Sequence, residues 1–112
     1  MPTRLALAWF VLLLASSSAQ SSDEITMKAK EFISAHEKKL RPLEIAANLA
    51  WWNANISGKE EDFQKKEEAQ NRIDAALADA KAFAQLKELR DKKKDIDDPQ
   101  VARQIELLYR AY

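Results

Sequence analysis

The only histidine of the chain, His36, opens a segment that matches the first half of a zinc-binding motif. In the motif His-Glu-x-x-His, two histidines one helical turn apart bind zinc and the glutamate acts as a general base. Glu37 is in place here, but Leu40 stands where the second histidine is required. The chain also contains no cysteine. The usual ligands therefore cannot assemble a catalytic zinc site, and we interpret His36 as a residue on the face of a helix.

Clustered carboxylates are the second candidate for chemistry, since neighbouring acids can share acid and base roles or bind cations. One cluster is interleaved with lysines: Glu60, Glu61, Asp62, Glu67 and Glu68. Charges mixed in this way are typical of a solvated helix face. The other cluster, residues 95–98, resembles a calcium loop but lacks its glycine and its distal glutamate. We interpret the second cluster as a connector that ends in a helix cap.

The adjacent residues Trp51 and Trp52 are the one concentrated aromatic feature. Neighbouring helix positions point about 100° apart, so the two rings cannot face the same way. We expect one ring to enter the core and the other to meet a partner or a groove; ligand stacking is the alternative. Asn55 then begins an Asn-x-Ser pattern for N-glycosylation at an exposed helix end. The sequence thus predicts no catalytic, cofactor-binding or metal-binding residue.

Residues 1–19 have the composition of a secretory signal peptide. Arg4 is their only charged residue, residues 5–15 are uniformly apolar, and small residues at Ser17 and Ala19 precede a predicted cleavage before Gln20. The apolar run is shorter than the roughly 20 residues that span hydrocarbon. A transmembrane anchor, or an uncleaved signal that tethers the chain to a membrane, is the alternative. We expect export to the periplasm or the exterior, with no stable membrane span after cleavage.

The elements that must position these residues are predicted to be helices. The chain has 112 residues with one glycine, and tight hairpins and phosphate-cradling loops need residues that tolerate positive φ. A formal net charge of zero excludes the basic excess of proteins that bind nucleic acid through its phosphates. We therefore expect an all-α fold of about three long antiparallel helices, formed by residues 20–112.

The first predicted helix starts at Glu24, behind cap candidates in residues 21–23, and ends near Gly58. Pro42 predicts one kinked helix or, as the alternative, two helices that meet there. A single kinked helix is favoured because no loop-forming residues accompany the proline. Residues at helical spacing predict its buried face: Ile25, Phe32, Ile33, Leu40, Leu43, Ala47, Ala50 and Trp51.

The second predicted helix starts at residues 59–61, and its pattern has a break near Lys81 before it resumes to Lys92. Its predicted apolar face comprises Ile73, Ala76, Leu77, Ala80, Phe83, Ala84 and Leu86. Ion pairs between an acid and a base four residues later are expected on its outer face: Glu61 with Lys65, Asp62 with Lys66 and Glu68 with Arg72.

Asp98 and Pro99 start a third predicted helix as its N-cap and its first residue. Its apolar stripe comprises Val101, Ile105, Leu108 and Tyr112. The pattern carries no stop signal before residue 112, so we expect the natural domain to continue beyond it.

Three segments carry a resemblance to a known family: residues 48–57 (NLAWWNANIS), residues 65–78 (KKEEAQNRIDAALA) and residues 98–109 (DPQVARQIELLY). They resemble the N-terminal region of angiotensin-converting-enzyme-like zinc peptidases, the peptidyl-dipeptidase A family, and in particular its bacterial exported members. The resemblance covers most of residues 20–112 but includes no catalytic motif.

The resemblance implies a large helical hydrolase whose N-terminal helices cover a deep channel and admit short, flexible peptides. In that family zinc is held by the two histidines of His-Glu-x-x-His and by a downstream glutamate, none of which lies within this chain. We therefore expect a non-catalytic N-terminal fragment, inactive alone, whose partners are the remainder of the peptidase domain and, in the whole enzyme, short peptides. The alternative is a complete small exported helical protein that acts as a partner-binding module.

Overall fold

The computed structural model describes the backbone of residues 17–112 and the side chains of residues 22–112. This part of the chain contains no strand, and the predicted all-α fold is confirmed. Its elements are α1 (Ser17–Ser57), α2 (Glu60–Leu77), α3 (Ala80–Asp91), a 3-10 turn (Lys93–Asp95) and α4 (Pro99–Ala111). Residues 1–16 of the predicted signal peptide lie outside the described residues.

Helix α1 is 41 residues long and continues through Pro42, so the favoured prediction of a single helix is confirmed. The predicted start at Glu24 is wrong, because α1 begins at Ser17 and residues 21–23 lie inside it. The Ser22 hydroxyl, instead of capping α1, lies 2.7 Å from both the backbone oxygen of Asp95 and a carboxylate oxygen of Asp97. A nearby threonine of α1, Thr26, accepts a hydrogen bond from the Asp97 amide at 3.0 Å. These side chains hold the connector before α4 against α1.

Gly58 closes α1 as predicted. Its φ of 64° lies in the left-handed region, and its amide donates to the backbone oxygen of Ala54 at 2.9 Å. Helix α2 then starts at Glu60 within the predicted residues, with acidic side chains in its first turn, where they offset the positive end of the helix dipole. The chain therefore reverses over two residues, and α2 packs back along α1 as a hairpin.

Gly58→Ala is expected to lower the free energy of unfolding by about 1 kcal/mol. An added Cβ meets no atom within 4 Å, so the left-handed backbone alone carries the cost. Asparagine tolerates this conformation better than alanine does, and Gly58→Asn is the matched control that should lose less. Urea denaturation followed by circular dichroism measures both variants. An alanine variant as stable as the wild type would contradict the requirement for positive φ.

The second predicted helix is in fact two helices, because the chain breaks at Ala78 and Asp79, just before the break predicted near Lys81. A carboxylate oxygen of Asp79 accepts hydrogen bonds from the amides of Lys81 and Ala82 at 3.0 and 3.1 Å. Asp79 is thus the N-cap of α3, a position where a short acceptor side chain satisfies amides that have no helical partner. The break raises the number of α-helices in residues 17–112 to four.

The main core lies where the first half of α1 meets α3, the connector and α4. Its buried residues are Ala29, Leu86, Leu89, Ile96, Val101 and Ile105. The predicted stripe of the last helix is confirmed, with Val101 and Ile105 buried and Leu108 and Tyr112 packed against the cluster. The predicted cap by Asp98 is also confirmed, since its side chain accepts from the amides of α4's first turn.

Small residues bring α1 and α2 together beyond this core. Ala54 on α1 is fully buried, and Ala69 and Ala76 on α2 are 7% exposed. Because alanine side chains are small, the two backbones can approach so closely that no large side chain fits between them. Phe83, which the helical pattern placed on the buried face, is 36% exposed, and its ring stacks on that of Tyr109 with the centroids 5.3 Å apart.

Candidate functional site

His36 lies in a cleft between α1 and α3 with a volume of about 510 Å³. Its Nδ1 is 3.1 Å from the hydroxyl of Tyr112, and the two ring centroids are 5.6 Å apart. Partial burial lowers the pKa of His36, although the carboxylates of Glu44 and Glu37 act in the opposite direction. The side chain is held by ring packing and one hydrogen bond, as a residue on a helix face.

Acidification from about pH 8 to pH 5 is expected to destabilise the chain through His36, the one side chain type that normally titrates in that range. The folded state lowers the pKa of His36, so the unfolded state binds the proton more readily. The contribution of neutral His36 to the free energy of unfolding is therefore complete above the ordinary histidine pKa, and it is lost as the pH falls through the lowered pKa of the folded state. His36→Phe keeps a ring beside Tyr112 but removes the titration. Between about pH 8 and pH 5, the urea midpoint should fall less for the variant than for the wild type. An equal fall in the two proteins would contradict the assignment to His36.

The acidic cluster of α2 forms local pairs on an outer face. Lys65 lies 3.3 Å from Glu61, as predicted, and 3.6 Å from Asp62. The other two predicted pairs do not form in the described part of the chain: Lys66 instead lies over the ring of Phe63, 5.8 Å from its centroid. A hydrogen bond from the Ser57 hydroxyl lowers the pKa of Asp62. These carboxylates serve the hairpin turn and the solvated face of α2.

The second acidic cluster belongs to the connector before α4. The 3-10 turn contains Asp95, the side chain of Asp97 lies beside Ser22, and Asp98 caps α4. Within residues 17–112, no three side chains of histidine, cysteine, aspartate or glutamate lie close enough together to hold a metal ion.

Neither tryptophan enters the core, so that part of the prediction is wrong. Trp51 is 51% exposed and Trp52 is 58% exposed. The reason is the close approach of α1 and α2 near the hairpin, where Ala54 of α1 and Ala69 of α2 are the buried residues. The two rings do face different ways, as expected. Trp51 and Phe63 line a groove of about 490 Å³ between α1 and α2, and Trp52 is not among its lining residues.

An apolar row on α1 is the surface that the sequence prediction missed. Ile45, Leu49, Trp52 and Ile56 follow one another at spacings of four, three and four residues, and each is 58–67% exposed. This spacing places all four side chains on one helix face. We call these four residues the outer stripe. A signal for it exists in the sequence, since residues 45–57 contain no charged residue in a chain that is 32% charged.

The glycosylation pattern begins one helical turn after Trp51. Asn55 is exposed, but its amide nitrogen donates to the backbone oxygen of Trp51 at 2.8 Å. The acceptor side chain therefore lies within the last two turns of α1 rather than in a loop.

The site is therefore a preformed apolar ridge rather than a constellation of reactive groups.

None of the helices in residues 17–112 is both long and apolar enough to cross a membrane. Comparisons of the chain with models of protein families, with curated proteins and with solved structures give no match.

Proposed function

We propose that this chain is the non-catalytic N-terminal part of an exported zinc-dependent metallopeptidase that resembles the peptidyl-dipeptidase A family, and that its helices cover the peptide-binding channel. The observation that carries the proposal is the outer stripe. Four large apolar side chains that are exposed side by side on one helix face mark a contact with another protein surface. The resemblance over residues 48–57, 65–78 and 98–109 supports the remainder of the peptidase domain as the proposed partner in this contact.

The shape of the chain suits a cover. At about 1.5 Å per residue, the 41 residues of α1 extend for about 60 Å, and α2 stiffens its second half as the other arm of a hairpin. The outer stripe lies on one face of this hairpin, while exposed charged side chains such as Glu61 and Lys65 lie on α2. A two-helix arm with one apolar face and a charged remainder can lie on a larger body and keep its other side in water.

The zinc ligands belong, in this proposal, to the remainder of the peptidase domain. His36 is the only histidine of the chain, and the side chains described in residues 22–112 do not form a group that fits a metal ion. No step of peptide hydrolysis is therefore assigned to this chain.

The reading frame that encodes the chain tests the proposal directly. We expect an in-frame His-Glu-x-x-His motif downstream, and a product of the whole frame that releases dipeptides from short peptides in a chelator-sensitive manner. Residues 1–112 alone, supplied with zinc, should release none. A frame that closes without the motif, or chelator-sensitive hydrolysis by residues 1–112 alone, would contradict the proposal.

The covering role is tested by substrate size in the product of the whole frame. Replacing residues 53–64, the tip of the hairpin, with a short Gly-Ser linker should let the enzyme accept a peptide that is tethered to a bulky folded domain. The free peptide, as the matched substrate, should be cleaved by both proteins. If the intact protein already cleaves the tethered peptide as fast as the free one, these helices do not restrict access.

The main core favours a second candidate, a complete small exported protein that binds a partner through the outer stripe. Six buried residues join α1, α3, the connector and α4 in one hydrophobic core. Chemical denaturation of residues 20–112 distinguishes the two functions. A free energy of unfolding of about 5 kcal/mol or more for the isolated segment supports the complete protein, whereas a smaller value supports the fragment.

A further inference from the structure

We infer that the outer stripe binds an uncharged apolar helix of a larger protein body, and that this helix packs along α1 between Ile45 and Ile56. The identity of that body rests on the proposed function, but the surface and its contact chemistry are tested separately below. The inference follows from the charge, the shape and the area of this face of α1.

The absence of charge defines the chemistry of the partner. Residues 45–57 contain no acid, base or histidine, although every side chain of the outer stripe is exposed in the chain by itself. A solvated helix face normally carries charged residues opposite its buried face. An exposed segment without them leaves nothing to pair with a charged partner, and burial of an unpaired charge is costly. The complementary surface is therefore apolar and uncharged.

The ridge and the flanking grooves on this face of α1 indicate that the partner is a helix. The outer stripe forms a ridge at spacings of four and three residues, flanked by short side chains such as Ala46, Asn48 and Asn53. Ridges at this spacing interdigitate with the ridges of a second helix, whose axis then lies about 8–10 Å away. Short flanking residues provide the grooves that a partner's side chains enter.

The area of the stripe argues against a second copy of this chain as the occupant. Four large apolar side chains exposed by 58–67% present on the order of 500 Å². Two copies joined stripe to stripe would bury less than the roughly 800 Å² per partner of a standard stable interface. A larger body can also cover the adjoining uncharged flank and the groove that Trp51 and Phe63 line. The favoured occupant is thus one helix of such a body.

Photocrosslinking in the producing cells tests the inference on the product of the whole reading frame. Trp52→p-benzoylphenylalanine replaces one large aromatic side chain with another, and Ile56→p-benzoylphenylalanine provides a second position if the first disturbs folding. Lys65→p-benzoylphenylalanine is the matched control, because this residue is exposed on α2 away from the stripe. Both stripe positions should crosslink at least tenfold more than position 65, and mass spectrometry identifies the linked peptide.

Each linked peptide decides the inference. An uncharged segment with helical apolar spacing, from beyond residue 112 of the same polypeptide, supports the inference together with the proposed function. The same kind of segment from a different protein supports the inference and contradicts the proposed function. A link to residues 1–112 of a second copy, a link to a charged segment, or no excess over position 65 overturns the inference, even where the product proves to be a peptidase.

Discussion

Ile105→Ala is expected to lower the free energy of unfolding by about 2–5 kcal/mol. Among the side chains described in residues 22–112, Ile105 on α4 and Leu86 on α3 are the largest that are fully buried, and they belong to the cluster that joins α1, α3 and α4. Truncation of such a side chain removes its burial and leaves a cavity that the neighbours fill only in part. Since small domains are stable by about 5–15 kcal/mol in total, this one change consumes a large share.

Leu107→Ala is the matched control for this prediction. Leu107 lies two residues from Ile105 on the same helix, but it is 54% exposed, and surface substitutions usually change stability by about 0.5 kcal/mol or less. Urea denaturation followed by helical circular dichroism measures both variants. Similar losses for the two would show that the cluster around Ile105 does not hold α4 against the rest of the chain.

Ala54→Leu is expected to destabilise the α1–α2 hairpin by about 1–3 kcal/mol. Ala54 is fully buried where α1 approaches its turn into α2, and the buried residues of α2 are themselves alanines. The three additional carbons have no space between the backbones, so either α2 moves away from α1 or the leucine takes a strained rotamer. The loss should be confined to the hairpin and should leave the core around Ile105 in place.

Ala46→Leu is the control for the hairpin, because Ala46 lies on the same helix and is exposed. Hydrogen exchange of α2 amides distinguishes the two variants: protection should fall in Ala54→Leu and stay at the wild-type level in Ala46→Leu. Unchanged protection in the Ala54 variant would contradict the close approach of the helices.

Local signals predicted the end of α1 at Gly58 and the start of α4 at Asp98, because backbone chemistry determines these ends within a few residues. The positive φ of Gly58 and the N-cap by Asp98 before Pro99 are both present. The Asp79 cap has the same chemistry, but helical spacing continues on either side of it, so the break was predicted near Lys81 rather than at residues 78–79. Ser22 was predicted to cap α1, yet its hydroxyl meets the connector before α4, which lies more than seventy positions away along the chain.

The exposed faces were harder to predict than the helix ends. The sequence showed that α1 is apolar around Trp51 and Trp52, and it led to the expectation that one ring is buried. Both rings are more than half exposed, because Ala54 and Ala69 bring α1 and α2 too close for an indole between them. Helical spacing states which residues share a face, but it does not state which face a neighbour covers.

The sequence by itself determined the helical class, the closure of α1 at Gly58 and the start of α4 at Asp98, since each follows from backbone preferences of neighbouring residues. It also showed that the usual zinc ligands are missing. Only the tertiary structure decided that the apolar surface of α1 is divided between a face that packs on α2 and an outer stripe that nothing in residues 22–112 covers. The physical reason is that burial depends on contacts between segments distant in the sequence, and those contacts follow from how closely two helix backbones can approach.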